Sequence, residues 1–343
     1  MSLIRKSTNA SAPLAPRTGI AKDGSGALVH VNRTSWLQAP VMALTGHNEA
    51  IHGIKFSPDG RQLASASSDR SVLIWNAHDD CKNTLMLKGY DAAVLDIHWS
   101  VDSARLFSAS ADLTIAVWDV ETGSRVKRLK GHHQSIINSC CPSRMINPML
   151  VSGDDDGLIL VWDPREKSPI LTMQHDWPVT TVAFNATGDM VYTGSIDNSI
   201  VAWDLKTREM AYKLSGHADT ITGIKLSPDG DALLSTAMDN TVRTWDVKPF
   251  CAKSDRQMAV YEGVLHGPDR NLLKPCWSSD GQKIACGSAD GTVLIWDAKS
   301  GAIQYKLPGH RGTVNEVDWH PSAPVIASCS NDRMIFVGEL TAK

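Results

Sequence analysis

The segment GHNEAIHGIKFSPDGRQLASASSDRSVLIWN, residues 46–76, contains the pattern that decides the fold. Its alternating stretch at residues 51–56 ends in the turn sequence Ser57-Pro58-Asp59-Gly60. Two apolar runs, residues 62–66 and 72–75, follow and are separated by a second polar turn. Runs of about five residues bounded by Pro, Asp, Gly and Ser are typical of short β-strands joined by tight turns. The segment therefore predicts an all-β unit.

The end of this unit recurs along the chain. An Asp is followed six residues later by a Trp at Asp69/Trp75, Asp112/Trp118, Asp156/Trp162, Asp197/Trp203, Asp239/Trp245 and Asp290/Trp296. The intervals between these tryptophans are 43, 44, 41, 42 and 51 residues. A period near forty residues indicates a repeat architecture. A residue that occurs once in every repeat is expected to hold its own repeat together.

Seven units are predicted between residues 46 and 343. Gly-His pairs open four of them, at Gly46-His47, Gly131-His132, Gly216-His217 and Gly309-His310. Degenerate openings occur at Gly89-Tyr90, at Gln174-His175 and near His266. The last unit has Gly338-Glu339 where Trp-Asp is expected.

The Gly-His, turn-Asp and Trp-Asp marks resemble the WD-repeat family of β-propellers over about residues 36–343. The resemblance implies an all-β, seven-bladed propeller with four-stranded blades around a central channel. It also implies that an N-terminal strand, residues 37–44, pairs with residues 334–337 of the last blade. This pairing would close the ring and cover sheet edges that are otherwise open.

Each full unit also contains a His, a Ser or Thr, and an Asp. A single such set would suggest nucleophilic catalysis. Four such sets, one in each full unit, cannot be four active sites. The resemblance implies instead a hydrogen-bonded chain from Trp through Ser or Thr and His to Asp within each blade. The sequence assigns these chains to His47, Ser65, Asp69, Trp75; His132, Ser152, Asp156, Trp162; His175, Thr193, Asp197, Trp203; and His217, Ser235, Asp239, Trp245. No catalytic, cofactor-binding or metal-binding residue is predicted, and the protein is not expected to be an enzyme.

Composition places further bounds on the class of protein. No apolar run approaches the ~18 residues that a membrane helix needs, and no signal-type apolar core follows the N-terminus. Seven irregularly spaced cysteines are typical of reduced thiols. An intracellular protein is therefore expected.

Charge and composition separate residues 1–35 from the rest. They are rich in Ser, Ala, Pro, Gly and Thr and are predicted to be a disordered basic tail, with the propeller at residues 36–343. The tail has five Lys or Arg and one Asp, a net charge of +4; the whole chain carries −3, which leaves −7 for the propeller. An acidic body argues against general nucleic-acid binding by the propeller. The tail is expected either to contact RNA or an acidic protein surface, or to act only as a solubilising segment.

Partner contacts are expected on the upper face of the propeller. By resemblance, this face is built from the segment after each Gly-His and from the residue before each turn Asp. The candidates are His52, Leu95, Ile137, Trp177, Thr180, Ile196, Met238, Leu273 and Asn315, together with Pro249 and Phe250 of the long 247–269 connection. Trp177 is the foremost of these, because exposed aromatic anchors are typical binding hot spots. The alternative is that some of the candidates pack into the blades.

Several non-consensus strings resemble the spliceosomal branch of the family, the WD-repeat subunits of the U5 small nuclear ribonucleoprotein. They include residues 237–243, residues 245–250 with Pro249-Phe250, and residues 305–310. The resemblance implies a nuclear, non-catalytic interaction scaffold that acts in pre-mRNA splicing. It would be a monomer within a large complex, beside the large U5 scaffold protein and the U5 GTPase, with no cofactor and no membrane contact.

The main alternative is a substrate receptor of a cullin-type ubiquitin ligase. Trp162-Asp163-Pro164-Arg165 fits the Trp-Asp-x-Arg string with which such receptors dock on a propeller adaptor. The string is short and arises easily in any WD repeat.

Overall fold

The computed structural model describes residues 17–22, 28–33, 35–145, 148–251 and 255–340. All regular structure in these residues is β-strand. None of the described segments is a helix with the length and apolar character needed to cross a membrane.

Three strands precede the first blade. β1 (Arg17–Lys22) pairs antiparallel with β2 (Leu28–Arg33), and β3 (Val41–Thr45) follows. The β1–β2 pair lies within residues 1–35, the segment that the sequence predicts to be a disordered tail, and that prediction stays untested. The rest of the expected tail, residues 1–16, 23–27 and 34, lies outside the described residues.

The other strands and β3 form seven four-stranded antiparallel sheets in the described part of the chain. Blade 1 consists of β4 (Ile51–Phe56), β5 (Gln62–Ser67), β6 (Ser71–Asn76) and β7 (Asn83–Lys88). Blade 2 consists of β8 (Val94–Trp99), β9 (Arg105–Ser110), β10 (Thr114–Asp119) and β11 (Arg125–Leu129). Blade 3 consists of β12 (Ile137–Pro142), β13 (Leu150–Asp154), β14 (Leu158–Trp162) and β15 (Pro169–Gln174).

Four more blades continue in chain order. Blade 4 consists of β16 (Val179–Phe184), β17 (Met190–Ser195), β18 (Ser199–Asp204) and β19 (Glu209–Ser215). Blade 5 consists of β20 (Ile221–Leu226), β21 (Ala232–Ala237), β22 (Thr241–Asp246) and β23 (Gln257–Glu262). Blade 6 consists of β24 (Pro275–Trp277), β25 (Lys283–Gly287), β26 (Thr292–Asp297) and β27 (Ile303–Pro308). Blade 7 consists of β28 (Val314–Trp319), β29 (Val325–Ser330) and β30 (Met334–Glu339), with β3 as its outer strand.

The first strand of each blade lines the centre of a closed ring. Each of these strands contacts its counterpart in the next blade, from β4 and β8 through β24 and β28, and β28 contacts β4. The predicted seven-bladed propeller is therefore confirmed.

The ring closes through β3 and β30. Their register runs from Val41 opposite Gly338 to Thr45 opposite Met334. The predicted closure by an N-terminal strand is thus present, although the strand starts at Val41 and not at Leu37. Pro40 precedes it and has no backbone N–H to contribute to a ladder.

Burial falls from the centre of the ring to its rim. β16 is buried along its whole length, whereas β27 alternates between exposed and half-buried residues. The apolar cores lie between adjacent blades; for example, Ile54 and Leu63 of blade 1 pack in one cluster with Val325 of blade 7. Close approach of the blades requires small residues. A Cβ on Gly287 would lie only 2.1 Å from the carbonyl oxygen of Val314.

Shortening a buried side chain of the closing strand β3 is expected to destabilise the whole ring. Leu44 of β3 is buried in the cluster between blades 7 and 1, whereas Val41 is 60% exposed. Leu44→Ala should lower the free energy of unfolding by about 2–5 kcal/mol, because it removes a buried side chain and leaves a cavity. Val41→Ala is the matched control and should change it by less than about 1 kcal/mol. Denaturant unfolding with equal losses for the two variants would contradict this role of β3.

Candidate interaction surfaces

Blades 1 and 5 contain the chain of hydrogen bonds that the sequence assigns to them. In blade 1, His47 Nδ1 lies 2.9 Å from Asp69 Oδ2 and its Nε2 lies 2.8 Å from Ser65 Oγ; Trp75 Nε1 donates to the same Oγ at 2.9 Å. In blade 5, the corresponding distances are 2.9, 2.7 and 2.8 Å for His217–Asp239, His217–Ser235 and Trp245–Ser235.

The chemistry of this chain is set by the carboxylate. Ionised Asp only accepts, so Nδ1 of the histidine carries the proton and Nε2 accepts the serine O–H. The serine oxygen then remains an acceptor for the indole N–H. Burial raises the pKa of Asp69, but the hydrogen bonds from His47 and Ser71 outweigh it and hold that pKa well below its ordinary value. Burial lowers the pKa of His217. The chain is therefore a neutral imidazole clamped by an ionised carboxylate.

Blade 3 contains the chain, but the assignment to His132 and Asp156 is wrong. His133 makes the two bonds, at 2.7 Å to Asp154 Oδ2 and 2.7 Å to Ser152 Oγ, and Trp162 Nε1 donates to Ser152 Oγ at 2.8 Å. Asp154 sits at the end of β13, where its other oxygen accepts the backbone N–H groups of Asp156 and Leu158. The carboxylate of Asp154 thus accepts hydrogen bonds both from the histidine and from the backbone of the turn. Asp156 is left exposed, and His132 packs edge-on against Trp162.

Blade 4 has only the first link of its predicted chain. Trp203 Nε1 donates to Thr193 Oγ1 at 2.9 Å. His175 Nδ1 accepts instead from the backbone N–H of Trp177, and no hydrogen bond joins His175 to Thr193 or Asp197 among the described residues. Lys213 Nζ contacts Asp197 Oδ2 at 2.9 Å. The predicted role of His175 and Asp197 is therefore wrong.

Three blades vary the chain in ways that were not assigned from sequence. In blade 2, Tyr90 Oη replaces the imidazole and links Trp118 Nε1 to Ser108 Oγ at 2.6 and 2.7 Å. In blade 6, Trp296 Nε1 donates to the carbonyl of Glu262. In blade 7, His310 contacts Asp332 at 3.0 Å and Ser328 at 2.9 Å, and the Gly309-His310 pair was the signal for it.

These polar sets are not accessible to a substrate. Ser65, Ser152, Thr193 and Ser235 are completely buried, and each is held between an indole and a neighbouring strand or imidazole. A nucleophile needs contact with its substrate. The sets act in blade cohesion, as satisfied buried polar networks do.

Four of the candidate partner contacts are buried, and that role is wrong for them. They are Ile137, Thr180, Leu273 and Asn315. Thr180 Oγ1 donates to the carbonyl of Ile221 in blade 5 at 2.6 Å, and Asn315 Nδ2 donates to the carbonyl of Ile51 in blade 1 at 2.7 Å. These side chains are buried because neighbouring blades approach each other closely at the upper ends of the inner strands. Spacing along the chain does not reveal this approach.

The remaining candidates reach the surface to different degrees. His52, Leu95 and Met238 are half-buried, whereas Ile196 and Pro249 are exposed. Trp177 is 52% exposed and Phe250 is 95% exposed. Phe250 lies in the connection between β22 and β23, away from Trp177 of blade 4.

Trp177 belongs to an apolar patch on the upper face of blades 3 and 4. We call Ile136, Trp177 and Ile196 the upper patch; all three side chains are exposed. Ile136 was not anticipated, although it directly precedes β12 as Trp177 and Pro178 precede β16. The acidic residues Asp155, Asp156 and Asp176 of the loops of blades 3 and 4 are also exposed. Grouped exposed apolar side chains mark interaction sites.

The central channel contains ion pairs that the sequence analysis did not identify. Lys274 of blade 6 reaches across to Asp96 of blade 2, with Nζ 2.6 Å from Oδ1. Lys55 pairs with Glu316 and lies 3.9 Å from Asp318. Burial acts to raise the pKa of Asp96, but Lys274 and His98 hold it well below its usual value. These groups line a cavity of about 280 Å³. Buried charges need partners, and here the partners come from different blades.

Basic residues of β11 and the Trp-Asp-x-Arg string are engaged in local contacts. Lys127 Nζ contacts the carbonyl of Pro164 at 2.9 Å, and Arg128 contacts Asp91 and Asp112. Arg165, which is 69% exposed at its side chain, pairs with Asp163 at 2.6 Å.

Comparisons with known proteins agree with this geometry. A family model described as "WD domain, G-beta repeat" matches residues 38–76, 80–119, 123–163, 167–204, 208–246, 262–297 and 301–337. The chain is 51% identical to the U5 small nuclear ribonucleoprotein 40 kDa protein of Homo sapiens, over 95% of the chain and 91% of that protein. It is 42% identical to the protein of the same name from Dictyostelium discoideum, over 92% and 89%. It is 41% identical to the pre-mRNA-splicing factor cwf17 of Schizosaccharomyces pombe, over 90% of both.

The number of hydrogen bonds that each buried serine of the blade chains makes predicts how much stability is lost when its hydroxyl is removed. Ser235 Oγ bonds both His217 and Trp245, whereas Ser328 Oγ bonds His310 alone. Ser235→Ala should lower the free energy of unfolding by about 2–4 kcal/mol and Ser328→Ala by about 1–2 kcal/mol, because each orphaned buried group costs about 1–3 kcal/mol. Chemical denaturation of both variants measures this, and a larger loss for Ser328→Ala would contradict it.

Acidification is expected to weaken the fold before the carboxylates titrate. Burial, reinforced by Lys274, lowers the pKa of His52 to about 4, and burial lowers the pKa of His266 to about 4. Below about pH 6.5 the unfolded chain therefore binds protons that the folded chain does not, and stability falls until about pH 4. Each histidine should contribute a loss of up to about 2 kcal/mol between pH 7 and pH 5. His52→Gln should make this slope shallower in denaturation curves; an unchanged slope would disprove the assignment.

Proposed function

The chain belongs to the WD40 repeat family, and we propose that it is a non-catalytic scaffold subunit of the U5 small nuclear ribonucleoprotein that acts in pre-mRNA splicing. The observation that carries the proposal is the identity of 41–51% with splicing proteins over nine-tenths or more of the chain. Such coverage spans all seven blades. It supports nuclear localisation, because splicing particles act on nuclear transcripts.

The absence of catalysis is part of the proposal. Each hydroxyl that lies beside an imidazole and a carboxylate in blades 1, 3 and 5 is completely buried. In the central channel, the described charged side chains include Lys274, Asp96, Lys55 and Glu316, which are paired with one another across blades. These groups stabilise the ring and leave the outer surfaces for partners.

A rigid disc is suited to the positioning of several proteins at once. The blades are tied internally by the polar chains and to one another by buried contacts such as Asn315 to Ile51. Surfaces held at fixed spacing lose little conformational freedom on docking. The partners that we propose are the large U5 scaffold protein and the U5 GTPase, with other spliceosomal proteins. The basic residues within 1–35 provide a possible route to RNA.

The upper patch is the proposed principal contact. Trp177 presents half of a large aromatic side chain to solvent, next to Ile136 and Ile196. Trp is enriched among residues that dominate binding energy. The exposed carboxylates of Asp155, Asp156 and Asp176 in the loops of blades 3 and 4 favour partner segments that combine apolar and basic side chains. Phe250 is a second candidate anchor on another part of the surface.

One observation favours a second function, that of a substrate receptor for a cullin-type ubiquitin ligase. Arg165 ends the string Trp162-Asp163-Pro164-Arg165, and its side chain is largely exposed. An exposed ion pair such as Arg165–Asp163 is weak and can open to an adaptor. The string alone carries this candidate.

Affinity capture from nuclear extract tests the two functions. Tagged full-length chain should recover the U5 scaffold protein, GTPase and helicase with and without RNase, because the proposed contacts are between proteins. Mass spectrometry of the bound fraction is the measurement. A cullin and its propeller adaptor without U5 proteins would overturn the splicing assignment, and Arg165→Ala should then abolish adaptor capture.

Single substitutions locate the contact within the same experiment. Trp177→Ala should lower recovery of at least one U5 protein by about tenfold or more, as expected for a hot spot worth ~2 kcal/mol. Met210→Ala, at an exposed position of the outer strand β19, is the matched control and should leave recovery unchanged. Equal recovery by the Trp177→Ala variant would remove the upper patch from the proposal.

A further inference from the structure

Six blades share a buried indole that the seventh lacks. The Trp that follows the turn Asp by six residues is buried or nearly so in blades 1–6, and its Nε1 has a hydrogen-bond acceptor in each, a residue of the same blade in blades 1–5 and the carbonyl of Glu262 at the end of blade 5 for Trp296 of blade 6. In blade 7 the same position, six residues after Asp332, is Gly338. Blade 7 thus lacks this indole, and the smaller ring of Phe336 packs on His310 in its place.

A groove lies at this place in the structure. It has a volume of about 190 Å³ and opens on the side of the propeller between the outer parts of blades 6 and 7. Its apolar walls include Val41, Val293, Leu307, Ile326, Phe336 and Leu340. A Cβ on Gly338 would make van der Waals contacts at 3.9 Å with Pro40 and Val41, so a side chain at this position would begin without a clash. We call this groove the blade 7 slot.

The slot also contains the acceptor that an indole uses elsewhere. In blades 1, 3 and 5 the serine oxygen bonds both the imidazole Nε2 and the indole N–H. In blade 7, Ser328 Oγ bonds only His310 Nε2 among the described residues. Because its O–H is directed to that nitrogen, the oxygen lone pairs of Ser328 face the slot as acceptors. Phe336 packs on His310 with ring centroids 4.4 Å apart, but it has no N–H to donate.

The chain itself does not supply an aromatic group for the slot. The residues outside the described part, 1–16, 23–27, 34, 146–147, 252–254 and 341–343, contain no Trp, Tyr or Phe. Trp36, the aromatic residue nearest the N-terminus, is held elsewhere, where its Nε1 donates to the carbonyl of Ala77 and its ring stacks on His78. Residues 1–343 therefore offer no free aromatic donor for the slot, and we look for its occupant in another molecule.

We propose that the blade 7 slot binds a tryptophan side chain of a partner protein, with the indole N–H donated to Ser328 Oγ and the ring between the apolar walls of blades 6 and 7. In blades 1, 3, 4 and 5 a Trp donates its indole N–H to the corresponding Ser or Thr oxygen, which is the contact proposed here. The inference deepens the proposed scaffold function by giving the chemistry of one partner contact at a surface distinct from the upper patch.

The slot is tested with N-acetyltryptophanamide and the full-length protein. Binding is followed by the methyl chemical shifts of Val41, Ile326 and Leu340 in nuclear magnetic resonance spectra. We expect saturable shifts with a dissociation constant on the order of a millimolar. N-acetylphenylalaninamide, which lacks the side-chain donor, should bind several-fold more weakly. The absence of saturable shifts at these methyl groups, or equal binding of the two amides, would overturn the proposal.

Two variants at one position provide the matched control. Gly338 has no positive φ, and a Cβ added to it would make only van der Waals contacts at 3.9 Å, so a larger residue can begin there without strain or clash. Gly338→Ala leaves most of the slot open and should keep the binding of the native chain. Gly338→Trp fills it and should weaken binding by at least about tenfold. Undiminished binding to Gly338→Trp, with its indole shown to lie in the slot, would place the probe elsewhere and end the proposal.

A third variant keeps the test decisive if Gly338→Trp misfolds or turns its indole away from the slot. Val41 is largely exposed at the mouth, and Val41→Arg should preserve the fold while placing a charge against the entering ring. It should weaken binding of N-acetyltryptophanamide several-fold, and unchanged binding would contradict the assigned site. These measurements do not depend on capture of U5 proteins. Failure of the slot and failure of the splicing function are therefore separate results.

Discussion

The hydrogen-bonded ladder between β3 and β30 joins the two ends of the chain, and the ring depends on it. Blades 1–6 are each built from consecutive strands, so their pairings are local and inexpensive in chain entropy. Blade 7 takes its outer strand from the N-terminal side, and Ser35 also donates to Glu339, 304 residues away. Once this ladder forms, the innermost strands β28 and β4 become neighbours and every blade has two packing partners. Closure converts seven marginal sheets into one body.

The manner of closure also accounts for the irregularity of blade 7. In each of blades 1–6 the ladder to the outer strand shifts register at the tryptophan. The β3–β30 ladder is regular, with Val41 directly opposite Gly338. A bulge re-aims a side chain, and where the ladder lacks it the chain also lacks the indole. The blade 7 slot and the ring closure are thus two aspects of one local structure.

Buried polar side chains hold the strands and blades of this molecule together, and the outer surface is left for the recognition of partners. The same residue types that make a hydrolytic triad occur repeatedly, but burial of each hydroxyl leaves them only the role of tying strands together. The channel ion pairs, Lys274–Asp96 and Lys55–Glu316, perform the same task between blades. What remains for partners is an outer surface with a few exposed aromatic and aliphatic anchors. A stiff disc with separated anchors agrees with the scaffold function proposed from its relatives.

The sequence by itself determined the all-β class and the number of repeat units, because a period that recurs through the chain records that every unit must bury the same face against the next. The arrangement of these units as blades and the closure by an N-terminal strand came from the resemblance to WD-repeat propellers. The sequence was sufficient to assign the hydrogen-bonded chain of a blade where the spacing is regular, as at His47–Asp69 and His217–Asp239. It failed in blade 3, where Asp154 on the strand displaces Asp156 of the turn, and in blade 4, where His175 turns to its own loop.

Only the tertiary structure decided which residues reach the surface and which side chains meet across blades. Thr180 and Asn315 occupy positions that spacing assigns to the upper face, yet they hydrogen-bond neighbouring blades because adjacent inner strands approach too closely to leave them in solvent. The pairing of Lys274 with Asp96 joins residues 178 positions apart, and the slot at Gly338 exists only because β3 lies beside β30. Such contacts depend on how the ring brings distant segments together, and no local pattern encodes that distance.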